Sequence, residues 1–255
     1  MIVKHCNEKL SSIKKVIIIL NLLSTEPYAY KVTDISNITE INRTTVHRIL
    51  TTLEEDGLAM KDEDTKKYKI GPALYHMGSI YPYNFNYENK LVEILTEMSS
   101  ISKESVGLAV RDKERIISLY EIEIAQPLKM NYRPGLFYPI NRGCYGKCLM
   151  AYYDQERVKQ LLYAQKFEKV CKNTLTDPEE ILAEYKKIRE QGYVISNEET
   201  FSHAMGIGIP IFNAKGNVTN CVAISFFKQE HYQDTLENLK HLLFEYQDKI
   251  SKYIL

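Results

Sequence analysis

Apolar residues between 10 and 23 recur at helical spacing: Ile13, Val16, Ile17, Leu20 and Leu23 fall on one stripe, and Pro27 stops the helix. A short helix is predicted at about 31–37 with Val32 and Ile35 inward, followed by a break over residues 37–40. A third helix spans about 42–56. In it Val46, Ile49, Leu50 and Leu53 stand at i, i+3, i+4 and i+7, a single buried face that ends at Gly57. Two β-prone pieces, 58–61 and 67–70, flank the polar stretch 62–66 and read as a hairpin.

Gly71-Pro72 marks a boundary, and residues 73–103 are largely helical apart from an interruption at Pro82. Beyond Ser105 the period changes. Val106, Leu108 and Val110 alternate, a turn at 112–114 follows, and a second strand covers 116–124. Residues 145–163 read as one helix. Another spans 178–191, opened by Thr176-Asp177-Pro178-Glu179 with Pro at its first position. Strands at 207–212 and 218–227 flank a turn, and the last helix covers about 232–253. Helices and strands mixed without strict alternation predict an α+β fold on an antiparallel sheet. The expected domains are 1–72, a winged helix-turn-helix; 73–103, a helical linker; and 104–255, a sheet domain.

Composition sharpens this in few places. Across 255 residues, 44% are hydrophobic and 26% charged, as in a well-packed globular protein. The 33 basic and 33 acidic side chains cancel, so attraction to a polyanion must come from a local patch. The run Val16–Leu20 is too short to span a bilayer and no cleavage site follows it, so a cytoplasmic location away from membranes is expected. Five cysteines, an odd number without a C-x-x-C pair, fit reduced thiols.

The third helix carries the chemistry. Arg43, Thr44, His47, Arg48 and Thr51 point away from its buried stripe, and residues 42–53 contain no carboxylate. A face bound for the major groove needs donors and no repulsion of phosphate. Asn42, Arg43, Thr44, Thr45, His47, Arg48 and Thr51 are therefore candidate DNA contacts, with Lys66 and Lys67 on the wing gripping flanking backbone. Residues 1–72 hold 11 basic and 10 acidic side chains, so bulk charge adds nothing, and periodicity alone leaves an ordinary three-helix bundle open.

Longer motifs narrow the choice. Thr44-Thr45-Val46-His47-Arg48-Ile49-Leu50, then Leu53-Glu54-Glu55-x-Gly57-Leu58, then Lys67-Tyr68-Lys69-Ile70-Gly71-Pro72, resemble the N-terminal domain of the IclR family of bacterial regulators. Arg133-x-Gly135-x-x-x-Pro139, Gly146-Lys147, Gly192-Tyr193, Glu198-Glu199 and Ala223-Ile224-Ser225 are similar, in order, to landmarks of the family's effector domain.

The resemblance implies a PAS/GAF-like antiparallel sheet holding a small-molecule effector. Its lining would fall on Cys144, Tyr145, Ser196, Ala204, Gly206, Ser225 and Phe227, with Leu128 and Met130 as apolar walls. Family members that take small carboxylic acids typically carry an acid at the place of Ser196, a Cys at Gly206, a Ser at Phe227 and a small residue at Tyr145. These departures imply a ligand with more apolar or aromatic surface, or a pocket filled by Tyr145 and Phe227.

The function expected is a sequence-specific DNA-binding transcriptional regulator controlled by that effector. A single module gains too little from one half-site, so a homodimer on a palindromic double-stranded operator is expected. The resemblance adds a dimer of dimers. The competing readings are a metabolite-processing enzyme and a protein-docking regulator that does not bind DNA. No cofactor is expected. Cys144 and Cys148 share a helix face but lack further ligands for a metal. Nothing in the sequence orients His203 for a Cys221 nucleophile. Residues 143–147 lack a phosphate-loop frame, and Gly206-Ile207-Gly208 opens a strand, unlike a dinucleotide fingerprint.

Overall fold

The structure is a computed structural model that describes residues 11–81, 90–123, 133–230 and 232–254. The chain divides into two compact units, residues 1–81 and 82–255.

In the first unit, α1 (Ser12–Leu23), α2 (Val32–Thr39) and α3 (Arg43–Glu55) precede a hairpin of β1 (Ala59–Lys61) and β2 (Tyr68–Ile70), and α4 (Pro72–Ser79) follows. Ile19, Leu22 and Leu23 of α1 pack with Ile35, Val46, Leu50 and Leu53, while Tyr68 seats the wing on the same core. Ile49 lies at the edge of this stripe, half-buried. The wing is tied back to the helices by Tyr30, whose backbone exchanges two hydrogen bonds with Tyr68.

The predicted break at 37–40 falls later than expected. The Thr39 hydroxyl donates to the Ile35 carbonyl at 2.6 Å, and α2 runs on to Thr39. Glu40 then takes a left-handed conformation (φ 60°), and Glu40, Ile41 and Asn42 turn the chain into α3.

The second unit is built on five antiparallel strands in the order β4-β3-β7-β6-β5, with β3 (Ser105–Asp112), β4 (Arg115–Ile122), β5 (Val194–Asn197), β6 (Ala204–Phe212) and β7 (Val218–Phe227). One face is aliphatic. Val106, Leu108, Ile207, Ile209, Val222, Ile224 and Phe226 pack against α5 (Lys90–Ser102) and α9 (Tyr232–Ser251). The other carries Ala109, Ala223, Cys221 and Val194 beneath α6 (Cys144–Ala151), with α7 (Gln155–Tyr163) and α8 (Pro178–Gln191) in the same cluster.

Three expectations change here. Residues 145–163 form two helices: every residue of α6 is buried, and Asp154 caps an amphipathic α7 by accepting from Arg157 N at 2.7 Å. Strand β5, which the sequence pattern does not announce, pairs with β6. The strand expected to reach 124 ends at Ile122. Pro82 lies outside the described residues.

Gly146 sets how closely α6 approaches the preceding segment, since a Cβ there would overlap the Pro139 carbonyl oxygen and crowd Ile140 Cα. In an open helix Gly→Ala would gain up to about 1 kcal/mol. Here backbone would have to move, and overpacking costs typically ~1–3 kcal/mol. Gly146→Ala is expected to lower the urea midpoint of the second unit; an unchanged or raised midpoint would show that α6 can shift freely.

Candidate functional site

The first candidate surface begins at the start of α3. Asn42 caps the helix, its side-chain oxygen accepting from Thr45 N at 2.9 Å, so that oxygen is already engaged. Arg43, Thr44, His47 and Arg48 are exposed and Thr51 is half-buried. Together with Val32 and Thr52 they line an open groove of about 720 Å³. Thr45 is half-buried and does not line it.

His47 Nδ1 stands 3.5 Å from the Thr51 hydroxyl one turn on. The wing is more self-contained than its sequence suggests. Lys66 Nζ lies 2.9 Å from Glu63, Lys61 pairs with the same carboxylate at 3.5 Å, and Lys69 reaches Asp62 at 3.6 Å. Lys67 has no ion pair among the described residues.

The second candidate surface is the small-residue face of the five-stranded sheet. Register places Ser196, Gly206, Ser225 and Ser105 side by side across β5, β6, β7 and β3. Directly paired residues share a face, as do residues two apart along a strand. Ala204 and Phe227 therefore flank that row on one side. Val194, Gly208, Ala223, Gly107 and Glu121 flank it on the other.

Cys144 leans onto this row: its Sγ would lie 2.9 Å from a Cβ built on Gly206. Tyr145 lies across Gly107, where a Cβ would overlap its hydroxyl. Seven of the nine sequence-predicted effector residues thus meet on or above one sheet face. Leu128 and Met130 lie outside the described residues.

Beside this face sits a buried ionic knot. Lys147, 1% exposed, donates from Nζ to Glu199 Oε1 at 2.6 Å, Glu184 Oε1 at 2.8 Å and the Ile195 carbonyl at 2.7 Å. Burial alone would push the Lys147 ammonium down, but Glu199 and Glu184 outweigh it and hold its pKa above the ordinary value. The other Glu199 oxygen accepts from Gly143 N at 2.9 Å and from the Ser196 hydroxyl at 3.1 Å. Ser196 is therefore partly engaged inside the fold.

Glu121 escaped the sequence reading. Its carboxylate accepts from the Tyr138 hydroxyl at 3.1 Å and the Tyr145 hydroxyl at 3.2 Å. The two rings meet edge to face at 4.8 Å. Burial pushes the Glu121 carboxyl up to about 7; the two hydroxyls pull it down and Glu123 pushes it up. The only sequence signal was a glutamate in a strand otherwise rich in apolar residues.

Burial pushes the Cys144 and Cys221 thiols well up, as suits packing residues. Cys221 pairs opposite Pro210 while exposed His203 precedes the far end of β6, so the two do not meet. Among the described residues, no group of three His, Cys, Asp or Glu is placed to hold a metal, and no helix is long and apolar enough to cross a membrane.

Both surfaces sit on domains with known relatives. Residues 12–63 match the IclR helix-turn-helix domain, and residues 85–252 match the bacterial transcriptional regulator IclR C-terminal domain. The chain belongs to the IclR family of bacterial transcriptional regulators. It is a helix-turn-helix regulator whose second unit is the family's effector-binding domain.

It is similar to the HTH-type transcriptional regulator KdgR of Escherichia coli (strain K12), 29% identical over 231 residues that cover 89% of this chain and 88% of that protein. It is also similar to KipR of Bacillus subtilis (strain 168), at 24% identity over 91% of this chain and 92% of the relative. Its fold is like that of an IclR regulator from Alicyclobacillus acidocaldarius, with TM-score 0.83 at 22% identity over 96% of this chain and 99% of the other. An IclR homolog from Microbacterium hydrocarbonoxydans, solved with 4-hydroxybenzoate, has TM-score 0.72 at 19% identity over 94% and 99% of the two chains.

Two outcomes test this geometry. Lys147→Met leaves two carboxylates facing a buried gap, and breaking such a pair costs ~3–5 kcal/mol. Chemical denaturation of the full chain should show that loss; one below about 1 kcal/mol would mean the knot is not structural. For Glu121, the folded pKa lies above the unfolded one. Its penalty is absent below pH 4.5, grows as pH rises toward about 7 and is constant above. Glu121→Gln should therefore gain stability relative to wild type between pH 4.5 and 7, by at most ~3 kcal/mol. Parallel pH profiles of the two proteins would contradict this.

Proposed function

We propose that the chain acts as a homodimer, or a dimer of dimers, on a palindromic double-stranded operator, with α3 in the major groove and the wing on flanking phosphates. The observation that carries this is the exposed, carboxylate-free face of α3, where Arg43, Thr44, His47 and Arg48 line one open groove. Arg43 and Arg48 make no ion pair among the described residues, so both guanidinium groups are available to bases or phosphates. Lys67 is the wing cation available to phosphate, and Lys66 would first have to leave Glu63.

In the second unit, a small-molecule effector is held on the face formed by Cys144, Tyr145, Ser196, Ala204, Gly206, Ser225 and Phe227. Its preference for one arrangement of the paired chains over another changes the spacing of their recognition helices. The solved relative with 4-hydroxybenzoate supports an aromatic ligand of this size. The protein works as a cytoplasmic regulator and does not turn its ligand over, in keeping with relatives named as transcriptional regulators.

Binding to the DNA upstream of its own gene, measured at two salt concentrations, tests the reading. A specific, salt-dependent complex is expected, and failure to form one would overturn it. Arg43→Ala and His47→Ala should each cost ~1–3 kcal/mol on the preferred site and relax base preference. Lys67→Ala should weaken all sequences about equally and lower the salt slope by about one. Three identical responses would show that α3 does not read bases.

A further inference from the structure

The groove along α3 has an apolar side that a grip on phosphate does not need. Val32, the first residue of α2, lines it together with Thr51 and Thr52 of α3. Val32 also packs against the core of the first unit, yet it is only half-buried there. Both threonines have their hydroxyls laid against their own helix. Thr52 donates to the Arg48 carbonyl at 3.2 Å, and the Thr51 hydroxyl stands 3.5 Å from His47 Nδ1. With those hydroxyls engaged, the methyl group is what each threonine has left to offer a partner.

The same helix lacks two of the side-chain types that read bases by hydrogen bonds. No Asn or Gln occurs in Arg43–Glu55, and the side-chain oxygen of Asn42 is engaged in the cap, so a bidentate amide on adenine is missing. The carboxylates of the helix, Glu54 and Glu55, stand at its far end and do not line the groove, so neither is placed to accept from cytosine. Arg43 and Arg48 suit guanine O6 and N7, and a threonine hydroxyl bonds to either kind of pair. What singles out an A·T pair for such a surface is apolar contact. In the major groove thymine alone of the four bases carries a methyl group, at C5.

We propose that Val32 and the methyl groups of Thr51 and Thr52 form a seat for the C5-methyl group of thymine. Each operator half-site then carries a thymine recognised by its methyl, and a residue of α2 takes part in base readout. The inference rests on α3 being the helix that enters the major groove.

The probe for the test is the tightest-binding duplex that the full-length protein selects from a pool of random sequence. Each thymine is replaced in turn by deoxyuridine, which pairs with adenine in the same way and lacks only the methyl. At one thymine of each half-site the replacement should weaken binding about fourfold, the loss expected when one methyl group no longer leaves water. That penalty should be the same at two salt concentrations, whereas a phosphate contact fades as salt rises.

Val32→Ala and Thr51→Ser should each shrink the uracil penalty at that position and leave binding at the other thymines unchanged. Thr51→Ser keeps the hydroxyl and removes only the protein's methyl, so the test stands even where Val32→Ala loosens the first unit. Equal binding of thymine and uracil at every position overturns the proposal, as does a uracil penalty that Thr51→Ser and Val32→Ala both retain in full. A specific, salt-dependent complex indifferent to uracil would remove the methyl seat and leave α3 as the DNA-binding helix. Failure to select any duplex would remove both.

Discussion

Lys147 is a full positive charge with 1% of its surface exposed, and the second unit is arranged around satisfying it. Three acceptors converge on one ammonium: Glu184 from α8, Glu199 from the segment after β5, and the Ile195 carbonyl of β5 itself. Through the other Glu199 oxygen the same charge fixes Gly143 at the start of α6 and the Ser196 hydroxyl. An unpaired charge in this position would cost several kcal/mol, so the helix, the short strand and the loop between β5 and β6 must all be placed together. Thr174 extends the knot, donating to the Glu199 carbonyl at 2.6 Å.

This constraint separates framework from function along the sheet. The motifs that carried the resemblance are mostly framework. Gly146 permits the approach of α6 to Pro139, Lys147 and Glu199 form the knot, and Gly192 closes α8 in a left-handed cap at φ 79°. Gly135, at φ 86°, donates to the Ser118 carbonyl and brings the following segment along β4, which delivers Tyr138 to Glu121. The row of small side chains in register across four strands lies between these fixtures.

Much of the fold was legible because burial writes its period into the chain. The stripe of α3 and the alternation in β3 match packed faces, and Asp177-Pro178 does open α8, but α1 packs through Ile19, Leu22 and Leu23 and leaves Ile13 and Ile17 of its expected stripe exposed. Strand β5 was not legible: Val194–Asn197 is too short for alternation to show, and it exists because β6 pairs with it and Lys147 takes its carbonyl. The split of α6 from α7 was available in Asp154, a capping residue inside an otherwise helical stretch. Glu121 had no such signal, since only the meeting of Tyr138 and Tyr145 over Gly107 shows that a carboxyl there is enclosed.

The sequence by itself determined the helix-turn-helix, the acid-free face of α3 and membership of a regulator family, because each is carried by local spacing or by motif order. Tertiary structure alone decided which wing cations remain available, which serine is engaged by Glu199, and that Glu121 is enclosed by Tyr138 and Tyr145 beside the small-residue face. Those are properties of partners distant in sequence, and an ion pair or a desolvated carboxyl is defined only once its neighbours in space are known.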